Sequence, residues 1–379
     1  MDLDLSPEQA ALRHLAREFA VGEIAPGAAQ RDVTGEFPRH LFHKMGELGL
    51  LGLAFSEKYG GTGAGYVSYA LAVEEVSRAD AGVGLSFAAH VSIGMGPVYY
   101  FGTEAQKQRW LPGACRGESL ASFGLTEPEA GSDSGNTRTR AVPDGEEWVV
   151  NGEKSYITNG GYAGFIVIAA VTDPGKKHHG ISNFICPTDV PGFSVGRPYE
   201  KMGLHSSDTR PLYFSDMRLP ADALLGKRGE GFKQFMVTLD GGRISIAAFA
   251  LGIAQAALDA SLAYAKQRVQ FGQAISKYQA IQFKLADMAT EIEAARLLTL
   301  RAAWLKDQGR EFGQIAAMAK LKASEVAMKA CVEAVQIHGG FGYMREAGVE
   351  RLMRDAKLAE IGEGTSEVQR MVIARGLGC

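Results

Sequence analysis

The sequence predicts an α+β protein in which a β-rich middle segment separates two α-helical segments. The distribution of proline is the first observation behind this fold class. Nine of the 13 prolines fall between Pro112 and Pro220, and residues 221–379 contain none. Since proline is the strongest helix breaker, this tail can be almost continuous helix. The second observation is that the middle segment contains short β-branched and aromatic runs bounded by turn residues, which are typical of strands.

The first hundred residues have helical spacing. Ser6, followed by Pro7 and Gln9, has the pattern of an N-cap with a capping-box partner, so it predicts a helix start. A second helix is expected from Pro38 to near Gly49. The glycine cluster at 60–65 predicts a loop, and helical spacing resumes after it. The cluster does not have the spacing of a dinucleotide-binding fingerprint.

Three runs in the middle segment predict strands: Phe165–Val171, Ile181–Cys186 and Pro211–Phe214. Turn signals such as Asp173-Pro174-Gly175 lie between them, because proline fixes φ and glycine tolerates positive φ. No helix long enough for a parallel crossover separates these strands. An antiparallel barrel or sandwich is therefore favoured over a parallel sheet.

Long helices are expected after Pro220. The apolar window Ile244–Leu262 is interrupted by polar residues, so it is interpreted as a buried bundle helix rather than a membrane span. Two further stripes with helical spacing are predicted to be core positions. They are Ile281, Leu285, Met288 and Ile292, and Met318, Leu321, Met328, Val332 and Val335.

Length and charge exclude several classes of protein. A chain of 379 residues suits two or three domains. The formal net charge of −3 gives no basic field for nucleic acid or an anionic membrane surface. The four cysteines lie far apart without CxxC spacing, so neither a metal site nor a disulfide framework is expected. The acidic N-terminus does not have the pattern of a secretory signal, and a cytoplasmic location is predicted.

One carboxylate near the C-terminus, Glu363, stands between Gly362 and Gly364. We expect Gly362 to end one helix, because glycine accepts the left-handed backbone of a C-cap. Ser366 and Gln369 have the spacing of a capping box that opens the next helix. Glu363 would then lie on a bent segment beside a helix N-terminus. Taken alone, this pattern is more typical of a solvated charge in a turn.

Five motifs occur in order along the chain and carry a resemblance to a known family. They are Leu125–Asp133 (LTEPEAGSD), Tyr156–Gly160 (YITNG), Arg268–Gly272 (RVQFG), Gln336–Gly340 (QIHGG) and Glu363–Glu367 (EGTSE). With them, the chain resembles an acyl-CoA dehydrogenase over essentially its whole length. The resemblance implies an N-terminal α-helical domain at 1–117, a middle antiparallel β-barrel domain at 118–226 and a C-terminal four-helix bundle at 227–379.

The resemblance also implies a reaction. Such flavoenzymes use FAD to convert a saturated acyl-CoA, here one with a short or branched chain, into the trans-2-enoyl-CoA. Glu363 would abstract the α proton while flavin N5 takes the β hydrogen as hydride. Burial against the substrate would raise the pKa of this glutamate from its usual value of about 4.3. In the family, the base's own backbone N–H and a ribityl hydroxyl of FAD polarise the thioester carbonyl.

The family's other functional positions map onto residues of the five motifs, onto Gln279 and onto the helix near Arg243. The cofactor-binding residues that the resemblance implies are Leu125, Thr126, Ser132, Tyr156, Thr158, Arg268, Phe271, Gln279, Gln336, Gly339, Gly340, Thr365 and Glu367. The implied substrate-binding residues are Ser132, Asp240, Arg243 and Gly364. An interdomain salt bridge is the alternative for Asp240 and Arg243, which are expected at the start of a buried helix. His338 is expected to be structural.

The family also implies partners. FAD bound by a neighbouring subunit makes a homo-oligomer, most simply a tetramer, part of the function, and an electron-transferring flavoprotein would accept the electrons. Two alternatives remain open: a flavin-dependent oxidase or monooxygenase of the same fold, and a non-catalytic acyl-CoA-binding protein.

The chain departs from the family pattern at Gly362, where many relatives have tyrosine. An aromatic wall of the acyl pocket is therefore expected either to be missing or to be supplied from elsewhere. Some relatives carry the base on the helix near Arg243, but this chain has Gly241 and Gly242 there. The absence of an acid at that place favours Glu363 as the base.

Overall fold

The computed structural model describes residues 4–379. The N-terminal segment is helical, as predicted. Its first helix begins with the predicted capping box: the Gln9 N–H donates to Ser6 Oγ at 3.2 Å, and the Ser6 N–H donates to Gln9 Oε1 at 3.0 Å. The α-helices of this segment are α1 (Pro7–Phe19), α2 (Ala28–Thr34), α3 (Arg39–Glu47), α4 (Gly65–Ala79), α5 (Ala81–Ala88), α6 (Gly96–Phe101) and α7 (Glu104–Cys115).

The middle segment forms one eight-stranded sheet. Its strands are β1 (Leu120–Gly124), β2 (Arg140–Asp144), β3 (Glu147–Thr158), β4 (Ala163–Val171), β5 (Ile181–Pro187), β6 (Phe193–Val195), β7 (Thr209–Pro220) and β8 (Leu224–Leu225). The hydrogen-bonded order is β6-β7-β3-β2-β4-β5-β8, and β1 pairs with β4.

The sheet is mainly antiparallel, as predicted, and its two parallel pairings both involve β4. This strand runs parallel to β1 over five residue pairs and meets β2 in parallel at one pair, whereas the other pairings are antiparallel. The crossover from β1 to β4 contains the β2–β3 hairpin instead of a helix, so the absence of a crossover helix does not exclude this parallel pairing. The inner face of the sheet has its own core, in which the Trp148 and Phe184 rings pack at 5.2 Å.

The C-terminal segment contains three long helices, so the predicted helical, β and helical order is confirmed. The elements are α8 (Gly231–Gln267), a short hairpin of β9 (Val269–Gln270) and β10 (Gln273–Ala274), α9 (Gln279–Asp307), α10 (Gly313–His338), α11 (Val349–Ala356) and α12 (Ser366–Gly376). Two stretches, Ala81–Phe101 and Gly231–Gln267, have the length and composition of membrane spans. Their most apolar windows are 94% and 61% buried within the protein, so both are core helices. This confirms the prediction for Ile244–Leu262, which lies within Gly231–Gln267.

The predicted core stripe of α10 is only partly correct. Met318, Leu321, Met328 and Val335 are half-buried, and Val332 is 45% exposed. Small residues form the buried face instead, because they let α10 approach α8 closely. They are Ala316, Ala319, Ala323, Ala327, Ala330 and Ala334.

Candidate active site

Glu363 itself has the left-handed backbone that the sequence assigned to Gly362. Its φ is 54°, and Gly364 follows at 94°. A non-glycine residue in this region costs about 1–3 kcal/mol, so the surrounding structure must hold it there. The preceding helical turn ends with the Gly362 N–H donating to Leu358 O at 2.8 Å. A strained, over-determined backbone of this kind is typical of a functional position.

Two side chains fix the carbonyl groups of Glu363 and Gly364, which together are called the Glu363 segment. Gln369 Nε2 donates to Gly364 O at 2.8 Å and to Glu363 O at 3.3 Å. Lys320 Nζ, from α10, donates to Gly364 O at 2.7 Å. The Glu363 N–H has no acceptor within residues 4–379. This N–H is therefore free to donate to a bound oxygen.

The predicted capping box at Ser366 is wrong by one residue. Thr365 is the N-cap of α12, and its side chain accepts from the Val368 N–H at 3.3 Å. Ser366 lies in the first turn, buried, and its hydroxyl has no hydrogen-bond partner in the described chain. Gln369 does not bond back to the cap, because it bonds the carbonyl groups of the Glu363 segment instead.

The Glu363 carboxylate faces the inside of the protein. Its Oε2 is buried without a hydrogen-bond partner in residues 4–379, although the residue as a whole is partly exposed. Burial raises the pKa of Glu363 to about 7, and the positive charges of Lys320 and Arg243 oppose this rise. A Cβ built on Gly242 would lie 1.9 Å from Oε2, so only glycine at that position leaves room for the carboxylate. The group can therefore take a proton near neutral pH.

Arg243 and Asp240 lie in the interior of α8 rather than at its start, because the helix begins at Gly231, before both residues. Arg243 is buried, and its Nη1 donates to the Asp240 carboxylate one turn away. Burial lowers the pKa of Arg243 and raises that of Asp240. The pair lies within one helix, so the interdomain salt bridge is wrong. Arg243 Nε has no partner in the described chain and is available to another group.

The loop after β1 carries the predicted residues Leu125, Thr126 and Ser132. Thr126 O accepts from the Ser155 N–H on β3 at 2.8 Å, which fixes the loop beside that strand. Leu125 and Thr126 are half-buried and Ser132 is exposed. The polar backbone of this loop is thus held at the edge of the sheet.

A buried ion pair that the sequence reasoning missed supports this loop. Lys154 Nζ, on β3, donates to Glu127 Oε1 at 2.7 Å and to Leu125 O at 3.1 Å. Glu127 also accepts from the N–H groups of Arg138 and Thr139. The sequence contains a pattern that could have predicted a buried Lys154, since this residue follows Trp148 and Val150 at even spacing along the strand.

Tyr156 and Thr158 end β3 at the same edge. Tyr156 has a φ of 59° and is 65% exposed, and its ring lies 5.0 Å from that of Tyr199. Thr158 is half-buried. The left-handed backbone at Tyr156 interrupts the strand and directs its side chain outward, where a planar ligand has access.

Four of the predicted cofactor residues line a groove of about 910 Å³, called the Arg268 groove: Arg268, Phe271, Gly339 and Gly340. Phe271 is 96% exposed, and the Cβ positions of both glycines face open space. Exposed backbone beside an arginine suits a phosphate-bearing ligand, and the aromatic walls suit a planar ring. These residues therefore fit the diphosphate and adenine part of a dinucleotide cofactor.

The remaining predicted residues lie around this groove or on α12. Gln279 and Gln336 are exposed next to groove positions 278 and 337. Thr365 is half-buried as the cap of α12, and Glu367 is exposed in its first turn. His338 has structural contacts, since its Nδ1 donates to Ala334 O at 2.7 Å and its ring stacks on Tyr264 at 4.2 Å, and it also lines the groove.

Three family models match the chain in succession. They are described as the N-terminal, middle and C-terminal domains of acyl-CoA dehydrogenase and match residues 6–118, 122–217 and 229–378. A probable acyl-CoA dehydrogenase of Bacillus subtilis is 60% identical to this chain, with 100% of both chains covered.

Solved structures give the same result. The butyryl-CoA dehydrogenase of Megasphaera elsdenii is 47% identical, with a TM-score of 0.98 and 100% of both chains covered. A chain from a structure described as the electron transferring flavoprotein of Acidaminococcus fermentans is 49% identical, with a TM-score of 0.99, and covers 100% of this chain and 99% of that one.

Proposed function

The chain belongs to the acyl-CoA dehydrogenase family, as its five motifs predict, and we propose that it converts a short-chain acyl-CoA into the trans-2-enoyl-CoA with Glu363 as the base. The observation that carries the proposal is the Glu363 carboxylate, whose buried Oε2 has no partner in the described chain and whose pKa burial raises to about 7. The short-chain preference is supported by the butyryl-CoA dehydrogenase of M. elsdenii.

The residues of the site account for the proton transfer. Ionised Glu363 takes the α proton, and its raised pKa makes it a stronger base than an exposed glutamate. The α-carbon of a thioester is a poor acid, so its carbonyl oxygen must be polarised as negative charge develops. The free N–H of Glu363 is a fixed donor for that oxygen, and one such donor contributes about 3–4 kcal/mol in other enzymes.

FAD is the cofactor that we propose, and when bound it supplies the acceptor for the β hydrogen as hydride. The Arg268 groove would hold its diphosphate and adenine, and Thr126, Tyr156 and Thr158 would hold the flavin end. Lys154 and Glu127 would keep the Leu125–Ser132 loop in place for that purpose.

We also propose a homo-oligomer, most simply a tetramer, in which a second subunit completes the groove. The single chain leaves large apolar side chains exposed there and on α9 and α10, including Phe271, Phe283 and Val332. An electron-transferring flavoprotein as acceptor and a cytoplasmic location complete the proposal. The proposed domain boundaries remain 1–117, 118–226 and 227–379, and the extents of the three family models support them.

Position 362 bears on the acyl pocket. A Cβ on Gly362 would meet only Leu358, at 3.5 Å or more, so a side chain there is not excluded by packing. The missing aromatic side chain therefore leaves space beside the base. We propose that this space widens the substrate range beyond a straight short chain.

Anaerobic flavin reduction by butyryl-CoA tests the proposal. The wild-type enzyme should bleach, at a rate that rises with pH through a midpoint near 7, because the ionised carboxylate is the active form. Glu363→Gln should keep FAD and acyl-CoA binding but lose about 10²–10⁴-fold in rate. Glu346→Gln, an exposed control, should bleach normally. Normal bleaching of Glu363→Gln would contradict the assignment of Glu363 as the base.

The same experiment separates the alternatives. A non-catalytic acyl-CoA-binding protein would hold butyryl-CoA without bleaching in the wild-type form. An oxidase or monooxygenase would bleach, but its reduced flavin would reoxidise rapidly when oxygen is admitted. A dehydrogenase should instead reoxidise slowly in oxygen and rapidly with an electron-transferring flavoprotein.

A further inference from the structure

Lys320 is a buried lysine in the alanine face of α10. Its side chain is fully buried, and its helical neighbours at spacings of three and four, Ala316 and Ala323, are small and apolar. Its ammonium makes one hydrogen bond, to Gly364 O, and no ion pair within 4 Å in residues 4–379. Burying an ammonium with so little compensation is costly. The position therefore requires a reason other than packing against α8.

The charged groups around Lys320 belong to the Glu363 site. Burial lowers the pKa of Lys320 to about 8, while the carboxylate of Glu363 raises it. Glu360 and Glu367, on either side of the Glu363 segment, raise it further, and Arg243 from α8 lowers it. Tyr69, from α4, is the other titratable group that faces Glu363. Arg243 is already engaged by Asp240, so Lys320 is the cation near Glu363 without a carboxylate partner.

We propose that Lys320 is the positioning residue of the base: its ammonium holds the Gly364 carbonyl, and with it the left-handed backbone of Glu363, and places a positive charge beside the carboxylate. This inference rests on the proposed role of Glu363. The contact is held in place because Lys320 lies on the long helix α10 and because Gln369, on α12, donates to the same Gly364 carbonyl. Lys320 does not touch Glu363 directly, so its effect is transmitted through the backbone and through space.

The geometry predicts two separable effects. The charge of Lys320 favours ionised Glu363, so its removal should raise the pKa of the base. The hydrogen bond fixes the segment, so its loss should displace the carboxylate and lower the limiting rate. A lysine that merely filled space would affect folding and would leave the pH dependence unchanged.

The test is the pH profile of anaerobic flavin reduction by butyryl-CoA in Lys320→Met and Lys320→Arg. Lys320→Met should keep FAD but show a midpoint about 1 unit higher and a limiting rate about tenfold lower. Lys320→Arg keeps the charge, so its midpoint should return to that of the wild type, whatever its rate. Lys322→Met, on the same helix but paired with Glu291, is the matched control and should keep the wild-type profile.

The outcomes are distinguishable from failure of the proposed function. If Glu363→Gln is inactive while Lys320→Met keeps the wild-type midpoint, the role of Lys320 is overturned and that of Glu363 stands. If Glu363→Gln bleaches normally, the base assignment itself fails. Should Lys320→Met not fold, Lys320→Gln takes its place, since its neutral amide can donate to Gly364 O, and an unshifted midpoint in that variant again overturns the inference.

Discussion

The Glu363 segment and the Arg268 groove differ in how much of each site a single chain provides. Around Glu363 the carboxylate oxygen is buried, and the carbonyl groups of the segment are fixed by Lys320 and Gln369 from the same chain. In the groove, Phe271 is 96% exposed and the two glycines face open space. The site of the proposed proton transfer is thus preorganised within one chain, whereas Phe271 and the two glycines of the groove are open to solvent in the described chain.

This difference follows from what each half must do. A base is effective when burial shifts its pKa toward neutrality, and burial requires a closed core. A groove for a large phosphate-bearing cofactor must open to admit it. Arg268 accordingly is exposed and makes no ion pair within residues 4–379, which leaves its charge available to the ligand.

The largest expected effect is at Gly242, where a substitution should disrupt the preorganised position of the Glu363 carboxylate. An added Cβ would lie 1.9 Å from Glu363 Oε2, so Gly242→Ala should displace the carboxylate. A displacement of about 1 Å can cost about 100-fold in rate, and flavin reduction by butyryl-CoA should slow by that factor while FAD content is unchanged. The control is Gly22→Ala, in a helical turn where nothing lies within 4 Å of the added atom. A wild-type rate in Gly242→Ala would show that the carboxylate is not fixed by packing.

The sequence predicts which residue is the base, but it does not predict the backbone geometry of that residue. The five motifs were sufficient to predict the family, the order of segments and the choice of Glu363. The left-handed residue was assigned to Gly362, because glycine is the usual residue in that conformation, yet Glu363 adopts it. The backbone there is held by Gln369, six residues away, and by Lys320 on α10, and the contact from α10 is not visible in local sequence.

Lys320 and Lys154 also show that long-range contacts cannot be predicted from local sequence. Each is a charged residue at an inward position, within the alanine face of α10 and the alternation of β3 respectively. The pattern could have revealed both as buried lysines. Their partners, Gly364 O and Glu127, are distant in sequence, so the roles required the folded chain.

The groove gives the next prediction. Arg268→Ala removes the exposed charge proposed to hold the cofactor diphosphate, so the affinity for FAD should fall about tenfold, the loss expected from a charge-assisted contact of about 1.4 kcal/mol. If FAD bridges two subunits, the oligomer should dissociate more readily as well. The flavin-to-protein absorbance ratio and light scattering after gel filtration measure the two effects. Arg116→Ala, which loses only an exposed ion pair with Glu118, is the control. Full flavin occupancy in an intact oligomer would contradict the assignment.

The smallest expected effect distinguishes the observed cap of α12 from the one that the sequence predicted. Thr365→Ala removes the acceptor of the Val368 N–H, so the free energy of unfolding should fall by about 1 kcal/mol. Ser366→Ala removes a buried hydroxyl that has no partner in the described chain, so it should be neutral or slightly stabilising. Chemical denaturation of both variants at a fixed FAD concentration measures the difference. Because Thr365 starts the helix that carries Gln369, its loss should also loosen the Glu363 segment and slow flavin reduction slightly, whereas Ser366→Ala should not. The reverse order of stabilities would restore Ser366 as the cap.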